Sequence, residues 1–274
     1  MPELPEVETV RNTLKNYLIE RKIIKIITPY PNIIKVDVET FKEKLQNQTF
    51  TDIKRYGKYL VFEFNDYTLV SHLRMEGKYF LRTSPKEFTK HEHVIFQLDN
   101  GLYLSYHDVR KFGTMELSKI GEEFNLESLS KLGVEVNAEN IDIKKIFDLT
   151  KKSKRPIKAV LLDQTIITGL GNIYVDETLF RSKIHPATMA DKISQLELKR
   201  ILKNAKAVVD EAILQGGTTI RTYQSSLGVD GRFQNQLNVH TLVGEPCKVC
   251  GDKIQKIRVG GRGTYFCPTC QKRK

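Results

Sequence analysis

Residues 247–270 read CKVCGDKIQKIRVGGRGTYFCPTC. Two C-x-x-C pairs, Cys247/Cys250 and Cys267/Cys270, stand sixteen residues apart. This is the spacing of a four-thiolate zinc site built on two turns with a hairpin between them. Soft thiolate ligands and a closed tetrahedron suit zinc better than redox-active or incidental cysteines. Four protein ligands leave no open coordination position, so one structural zinc per chain is expected. No cysteine remains for a disulfide. The intervening segment, IQKIRVGGRGTYF, presents Lys256, Arg258 and Arg262. Glycines on both sides of Arg262 let the backbone approach a ligand closely. A basic hairpin tip of this kind suits a phosphate backbone.

Upstream the text is helical. Residues 155–186, RPIKAVLLDQTIITGLGNIYVDETLFRSKIHP, read as helix, glycine-rich turn, helix and turn, punctuated by Pro156 and Pro186. At TGLGN, Asn172 opens a helix whose free N–H groups make an anion site, although a plain turn between packed helices fits the glycines equally. ILKNAKAVVDEAILQ (201–215) is apolar at helical spacing and stops at Gly216-Gly217. The stretch that ends in KKSKR has the composition of a linker.

The first half is different. After a helix from about Pro5 to about Glu20 come KIIKIITP, QTFTDIKRY, KYLVFEFND, YTLVSHLRM, KYFLRT, HVIFQLDN and GLYLSYHDV. They are short, β-branched or aromatic, and separated by turn signals, which implies a sandwich or barrel. The expected order is a β domain over 1–130, a linker over 131–154, a helical domain over 155–238 and a zinc-bound tail over 239–274.

Two segments of the β domain stand out. In DVRKFGT, Phe112 lies between Arg110-Lys111 and Gly113, an awkward place for a core residue. It suits a wedge between base pairs, with Arg110 filling the space of a displaced base. Met75, in SHLRMEGK, is a second candidate wedge, and His72 a candidate phosphate contact. Ordinary strand ends, a hydrogen-bonded structural histidine and a solvated turn lysine at Lys58 are the plainer alternatives.

Charge favours a polyanionic partner: 44 basic against 33 acidic residues leave a net charge of +11 over 274 residues. The longest apolar run, IIKIITPYPNII, is broken by Lys25, Pro29 and Pro31, so no membrane span is expected. The N-terminal stretch has acids where a signal peptide carries bases, which points to the cytoplasm.

That stretch, MPELPEVETV, opens a helix: Pro5 suits the first turn, and Glu6 and Glu8 suit the positive end of the dipole. A small second residue also favours removal of Met1, which exposes the secondary amine of Pro2 beside acids.

PELPEVE at the start, GKYL around Lys58, SHLRMEGK, DVRKFGT, TGLGNIYVDE and the four-cysteine hairpin with GRGT together resemble the bacterial formamidopyrimidine-DNA glycosylases, in order and over essentially the whole chain. The resemblance implies an α+β fold of two domains. An N-terminal β-sandwich with flanking helices is followed by a helix–two-turn–helix domain and a zinc-finger β-hairpin, with DNA in the basic cleft between domains. It implies a base-excision repair enzyme acting on double-stranded DNA that contains oxidised bases or abasic sites, and a monomer is expected. Pro2 matches the family's nucleophile, Glu3 its neighbouring acid, Glu6 a second acid and Lys58 its hairpin lysine. Met75, Arg110 and Phe112 match residues that enter the duplex. Asn172 and Arg262 match phosphate-binding positions, and Lys158 a basic residue of lesion or phosphate contact. TTIRTYQSS, after Gly217, matches the segment that closes over an everted base, with Thr219, Arg221 and Tyr223 as candidates. The implied activity is bifunctional: glycosylase towards oxidised purines, and lyase at the resulting abasic site. The sister branch, endonuclease VIII, shares the proline mechanism and prefers oxidised pyrimidines; Leu4 and the intact DVRKFG stretch favour the purine enzyme.

Overall fold

The structure is a computed structural model, and residues 2–218 and 231–274 are described. The candidates Thr219, Arg221 and Tyr223 lie outside the described residues. The chain divides into two compact units. One holds the chain up to Lys131 and takes in a later stretch from Gly216; the other comprises Leu132–Gln215 and Arg232–Lys274.

The first unit opens with α1 (Leu4–Leu18). Glu3 and Glu6 form a reciprocal capping box, Pro5 sits in the first turn, and Val7, Val10, Leu14 and Leu18 supply the buried face. The helix stops two residues short of the expected end, and Glu20 adopts a left-handed backbone (φ 65°). Then come β1 (Ile23–Ile27), α2 (Val38–Leu45), β2 (Phe50–Tyr56), β3 (Tyr59–Phe64), β4 (Tyr67–His72), β5 (Lys78–Arg82), β6 (Glu92–Leu98), β7 (Tyr103–His107), β8 (Thr114–Lys119) and the short α3 (Glu127–Ser130). The strands make two antiparallel four-stranded sheets, ordered β1-β6-β7-β5 and β2-β3-β4-β8. Their inner faces share one core. Val94, Phe96 and Tyr106 from the first sheet join Phe50, Phe62 and Leu69 from the second, with Phe41 and Leu45 of α2. The expected β-sandwich with flanking helices is therefore present.

The second unit contains β9 (Val134–Glu135), α4 (Ile143–Lys152), α5 (Ile157–Leu161), β10 (Ile167–Thr168), α6 (Asn172–Arg181), α7 (Gln195–Leu214), β11 (Gln255–Val259) and β12 (Arg262–Phe266). Residues 131–154, expected as a linker, are instead folded. β9 pairs in parallel with β10. Gly133 passes so close to the Ile166 carbonyl that a Cβ would lie 2.3 Å from its oxygen. α4 is capped by Asp142 and buries Ile146 and Thr150. The lysines that give this stretch a linker's composition are exposed, which an amphipathic helix requires as well as a linker does. α7 starts six residues before the expected periodic stretch, on a Ser194/Glu197 capping box. β11 and β12 form the expected hairpin. The finger has a small core of its own, with Phe180, Val239 and Ile254 packed around Cys247 and Cys267. Gln271, fully buried, accepts from the Cys267 N–H and donates to the Ile184 carbonyl, both at 2.9 Å. Among the described residues no helix is long and apolar enough to cross a membrane.

Candidate active site and nucleic-acid contacts

Pro2, Glu3 and Glu6 are buried together at the start of α1. The Glu6 carboxylate joins two parts of the chain. Its Oε2 accepts the Glu3 N–H at 2.8 Å. Its Oε1 accepts the Thr218 N–H at 2.7 Å and the Thr218 hydroxyl at 3.0 Å. Gly217 makes this approach possible: its φ is 80°, and a Cβ there would lie 2.7 Å from Glu6 Oε1. Glu6 thus fixes Thr218, the first residue of the candidate lesion segment, onto the turn that carries Pro2 and Glu3.

Lys58 is also buried (7% exposed). Gly57 turns the chain between β2 and β3 with φ 56°. Arg55 donates to the Gly57 carbonyl at 2.9 Å and to Glu8 of α1 at 2.8 Å. Burial alone would push the Glu8 carboxyl up; hydrogen bonds and charge from Arg11 and Arg55 outweigh it and hold the group below the usual carboxylate range. The helix α1, which follows Pro2, and the turn that carries Lys58 are tied by this ion pair.

Met75 and Phe112 are exposed by 39% and 53%, far above what their apolar side chains need for core packing. Both belong to turns built around Tyr106. A Cβ on Gly77 would lie 2.2 Å from the Tyr106 hydroxyl oxygen, and one on Gly113 1.7 Å from it. Both positions therefore accept glycine alone. The fully buried Asp108 carboxylate accepts the N–H groups of Arg110, Phe112 and Gly113 at 2.9, 2.8 and 2.9 Å. It folds the loop into a tight cup that leaves Phe112 outside, with the Arg110 guanidinium 4.7 Å from the Phe112 ring centroid. Asp108 and Tyr106 hold these turns and are not singled out by the sequence reading, although an aspartate opening a turn is a legible signal.

His72 departs from a surface position. It is buried, and its Nδ1 accepts the Arg74 N–H at 2.8 Å. Burial, with the Arg74 and Lys58 charges adding to it, lowers its pKa to about 3. A neutral ring that accepts at Nδ1 carries its proton on Nε2; it fixes the turn that lifts Met75 and keeps a donor on its other nitrogen.

In the second unit, Gln164 stitches the two-turn segment: its side chain donates to the Leu162 and Leu170 carbonyls and accepts the Gly169 N–H. Asn172 then opens α6 and donates to the Gly263 carbonyl at 3.0 Å. The next hairpin residue, Arg262, is exposed. Lys158 departs from expectation. It is fully buried, with Nζ 2.7 Å from Asp176, 2.8 Å from the Thr264 hydroxyl and 3.2 Å from the Gly263 carbonyl. An ammonium committed to those partners shapes the hairpin from inside and does not reach out to a phosphate. Glu177, also buried, accepts the N–H groups of Asn238, Val239 and His240 and anchors the approach to the finger.

The Sγ atoms of Cys247, Cys250, Cys267 and Cys270 all lie within 4.8 Å of one another. A tetrahedron with Zn–S bonds of about 2.3 Å has sulfur–sulfur edges of about 3.8 Å, so the four thiols fit one zinc ion.

Residues 1–115 match the formamidopyrimidine-DNA glycosylase N-terminal domain, 132–224 the H2TH domain of the same enzymes, and 244–273 the zinc finger found in FPG and IleRS. The chain belongs to the formamidopyrimidine-DNA glycosylase family. A family member from Oceanobacillus iheyensis is 48% identical over 276 aligned positions, covering 100% of this chain and 99% of the relative. One from Streptococcus pyogenes is 44% identical with full coverage of both chains. Among solved structures, the Lactococcus lactis Fpg in complex with abasic-site DNA superposes with a TM-score of 0.94 at 43% identity, covering 99% of this chain and 100% of that one. A variant of the same protein with Fapy-dG containing DNA gives the same values. Family membership makes this chain a DNA glycosylase of base excision repair with a structural zinc finger.

Proposed function

We propose that the chain is a bifunctional glycosylase and abasic-site lyase that excises oxidised purines, 8-oxoguanine and formamidopyrimidines, from duplex DNA. The observation that carries this reading is the cluster of Pro2, Glu3 and Glu6 at the buried start of α1. After removal of Met1, the Pro2 amine attacks C1′ of the damaged nucleotide and the glycosidic bond breaks. Glu3 supplies a proton to the sugar oxygen, which opens the ring and leaves an iminium. The iminium draws off the electrons of the 2′ C–H bond, and loss of the 3′ and then the 5′ phosphate follows. An α-amine with a reference pKa near 7.7–8.0 is roughly 10% neutral at pH 7, against about 0.04% for lysine, which favours the terminus as nucleophile. Lys58 adds positive charge near the sugar and its phosphate. Met75, Arg110 and Phe112 fill the gap when the base leaves the stack. The exposure of Met75 and Phe112, on turns fixed by Tyr106 and Asp108, supports that role.

Borohydride trapping on a duplex with one 8-oxoguanine opposite cytosine, followed by mass mapping, tests this directly. The expected adduct lies on the peptide that begins with Pro2, and protein that retains Met1 should bind the duplex without cutting it. Specific binding with neither adduct nor cleavage would refute the lyase reading.

A further inference from the structure

Both oxygens of the buried Glu6 carboxylate are engaged. Oε2 accepts the Glu3 N–H and closes the capping box of α1. Oε1 accepts two donors from one residue, the N–H and the hydroxyl of Thr218. Thr218 is buried too, and it belongs to the same compact unit as Glu6. Any residue but proline would offer the N–H at this position; the hydroxyl is what threonine adds.

The tie is reciprocal. Glu6 holds Thr218, and Thr218 holds Glu6. A buried carboxylate keeps one orientation while donors meet both its oxygens, because an oxygen short of donors there costs free energy. Without the Thr218 hydroxyl the carboxylate gains by turning toward its remaining donors, and the Glu3 N–H loses its fixed acceptor. Glu3 is the extended residue that precedes α1, with φ −105° and ψ −172°. Its amide is the peptide link to Pro2. The orientation of that amide therefore sets where the Pro2 ring nitrogen and the Glu3 side chain lie relative to each other. The fit around Oε1 is close, since a Cβ on Gly217 would lie 2.7 Å from it.

We infer that Thr218 is a positioning residue for the reaction: acting through Glu6, its hydroxyl holds the Pro2 amine and the Glu3 acid in fixed relation. The inference rests on the proline-amine reading above and deepens it. Attack on C1′ needs the reacting atoms close and aligned, so a loosened Pro2–Glu3 peptide slows the covalent step and leaves DNA binding almost untouched. The effect extends to a substrate that has no damaged base, because the hydroxyl acts on the amine and not on the lesion.

The test is single-turnover borohydride trapping with saturating zinc-loaded protein, its Met1 removed, on a duplex that carries a preformed abasic site. Thr218→Val keeps the branched shape and the N–H and removes the hydroxyl. It should slow formation of the Pro2 adduct by about tenfold. Its affinity for a duplex with a tetrahydrofuran abasic analogue should stay within about twofold of wild type, which separates a slower step from weaker binding. Thr218→Ser keeps the hydroxyl and should restore the rate. Gly217→Ala leaves Thr218 in place but crowds Glu6 Oε1; it should reproduce the slow rate, and it carries the test if Thr218→Val does not fold. A wild-type trapping rate at the abasic site in either folded variant overturns the inference, even if release of 8-oxoguanine slows, because Thr218 would then serve the lesion segment alone. Equal losses in Thr218→Val and Thr218→Ser, or a loss confined to affinity, overturn it as well. Absence of any adduct with wild type overturns the proline-amine reading itself.

Discussion

At the scale of single residues, the same residue type does opposite work according to what surrounds it. Arg262 and Lys158 both bear on the hairpin tip, but one is exposed and the other has no exposed surface at all. An exposed guanidinium can neutralise a phosphate and release its counterion; a buried ammonium paired to Asp176 can only hold the protein together. The two roles separate experimentally. Lys158→Met removes the buried cation and leaves Asp176 uncompensated by it, a change that should cost about 3–5 kcal/mol in urea unfolding. Any molecules that remain folded should keep the wild-type dependence of DNA affinity on salt. Arg262→Ala should do the reverse, leaving unfolding nearly unchanged and lowering the slope of log K against log salt by about one. A reduced salt slope for Lys158→Met would return that lysine to the DNA surface.

At the scale of elements, the helix that follows Pro2 and Glu3 is positioned by its ties to neighbours more than by its own propensity. Glu8 bonds Arg11 on α1 and Arg55 on β2, and Arg55 holds the turn before Lys58. A carboxyl held below its ordinary value stabilises the fold above that ordinary value, near 4.5, and loses the effect as pH falls through the lowered one. Glu8→Gln should therefore cost roughly 1–3 kcal/mol at pH 7. The gap to wild type should narrow in acid unfolding curves as pH falls below the ordinary value near 4.5; an equal gap at pH 3 and pH 7 would mean that packing, not charge, makes the tie. Much of this level is legible in sequence because its signals are local: Pro5 and Glu6 at a helix start, alternating strands, paired cysteines. What is not legible depends on partners remote in sequence. Glu6 and Thr218 are 212 positions apart, and no spacing rule joins them. Lys158 reads as a surface base because nothing near it in the chain announces Asp176 or Thr264. The helix α4 hides in a lysine-rich stretch because the composition that suits a linker also suits the wet face of a helix.

At the scale of the whole molecule, the zinc site and the β-sandwich stabilise different parts. The sandwich core draws on α1, α2 and both sheets and includes no residue of the finger. The finger core is small, with two of the four cysteines among its buried members. A core of that size does not hold a hairpin without its metal, since zinc binding supplies the folding free energy of such modules. Removing zinc should therefore act selectively. Chelation in the presence of a thiol-reactive zinc indicator is expected to release one zinc per chain. The loss of β-structure in far-UV circular dichroism should be small, because β11 and β12 are five residues each. The main thermal transition, set by the sandwich, should move little. DNA affinity should fall by at least about tenfold, because Arg262 and the carbonyl that holds Asn172 both belong to the hairpin. Readdition of zinc should restore it. If chelation instead abolished the main transition, zinc would be holding more than its own finger, and the independence of the two cores would be wrong.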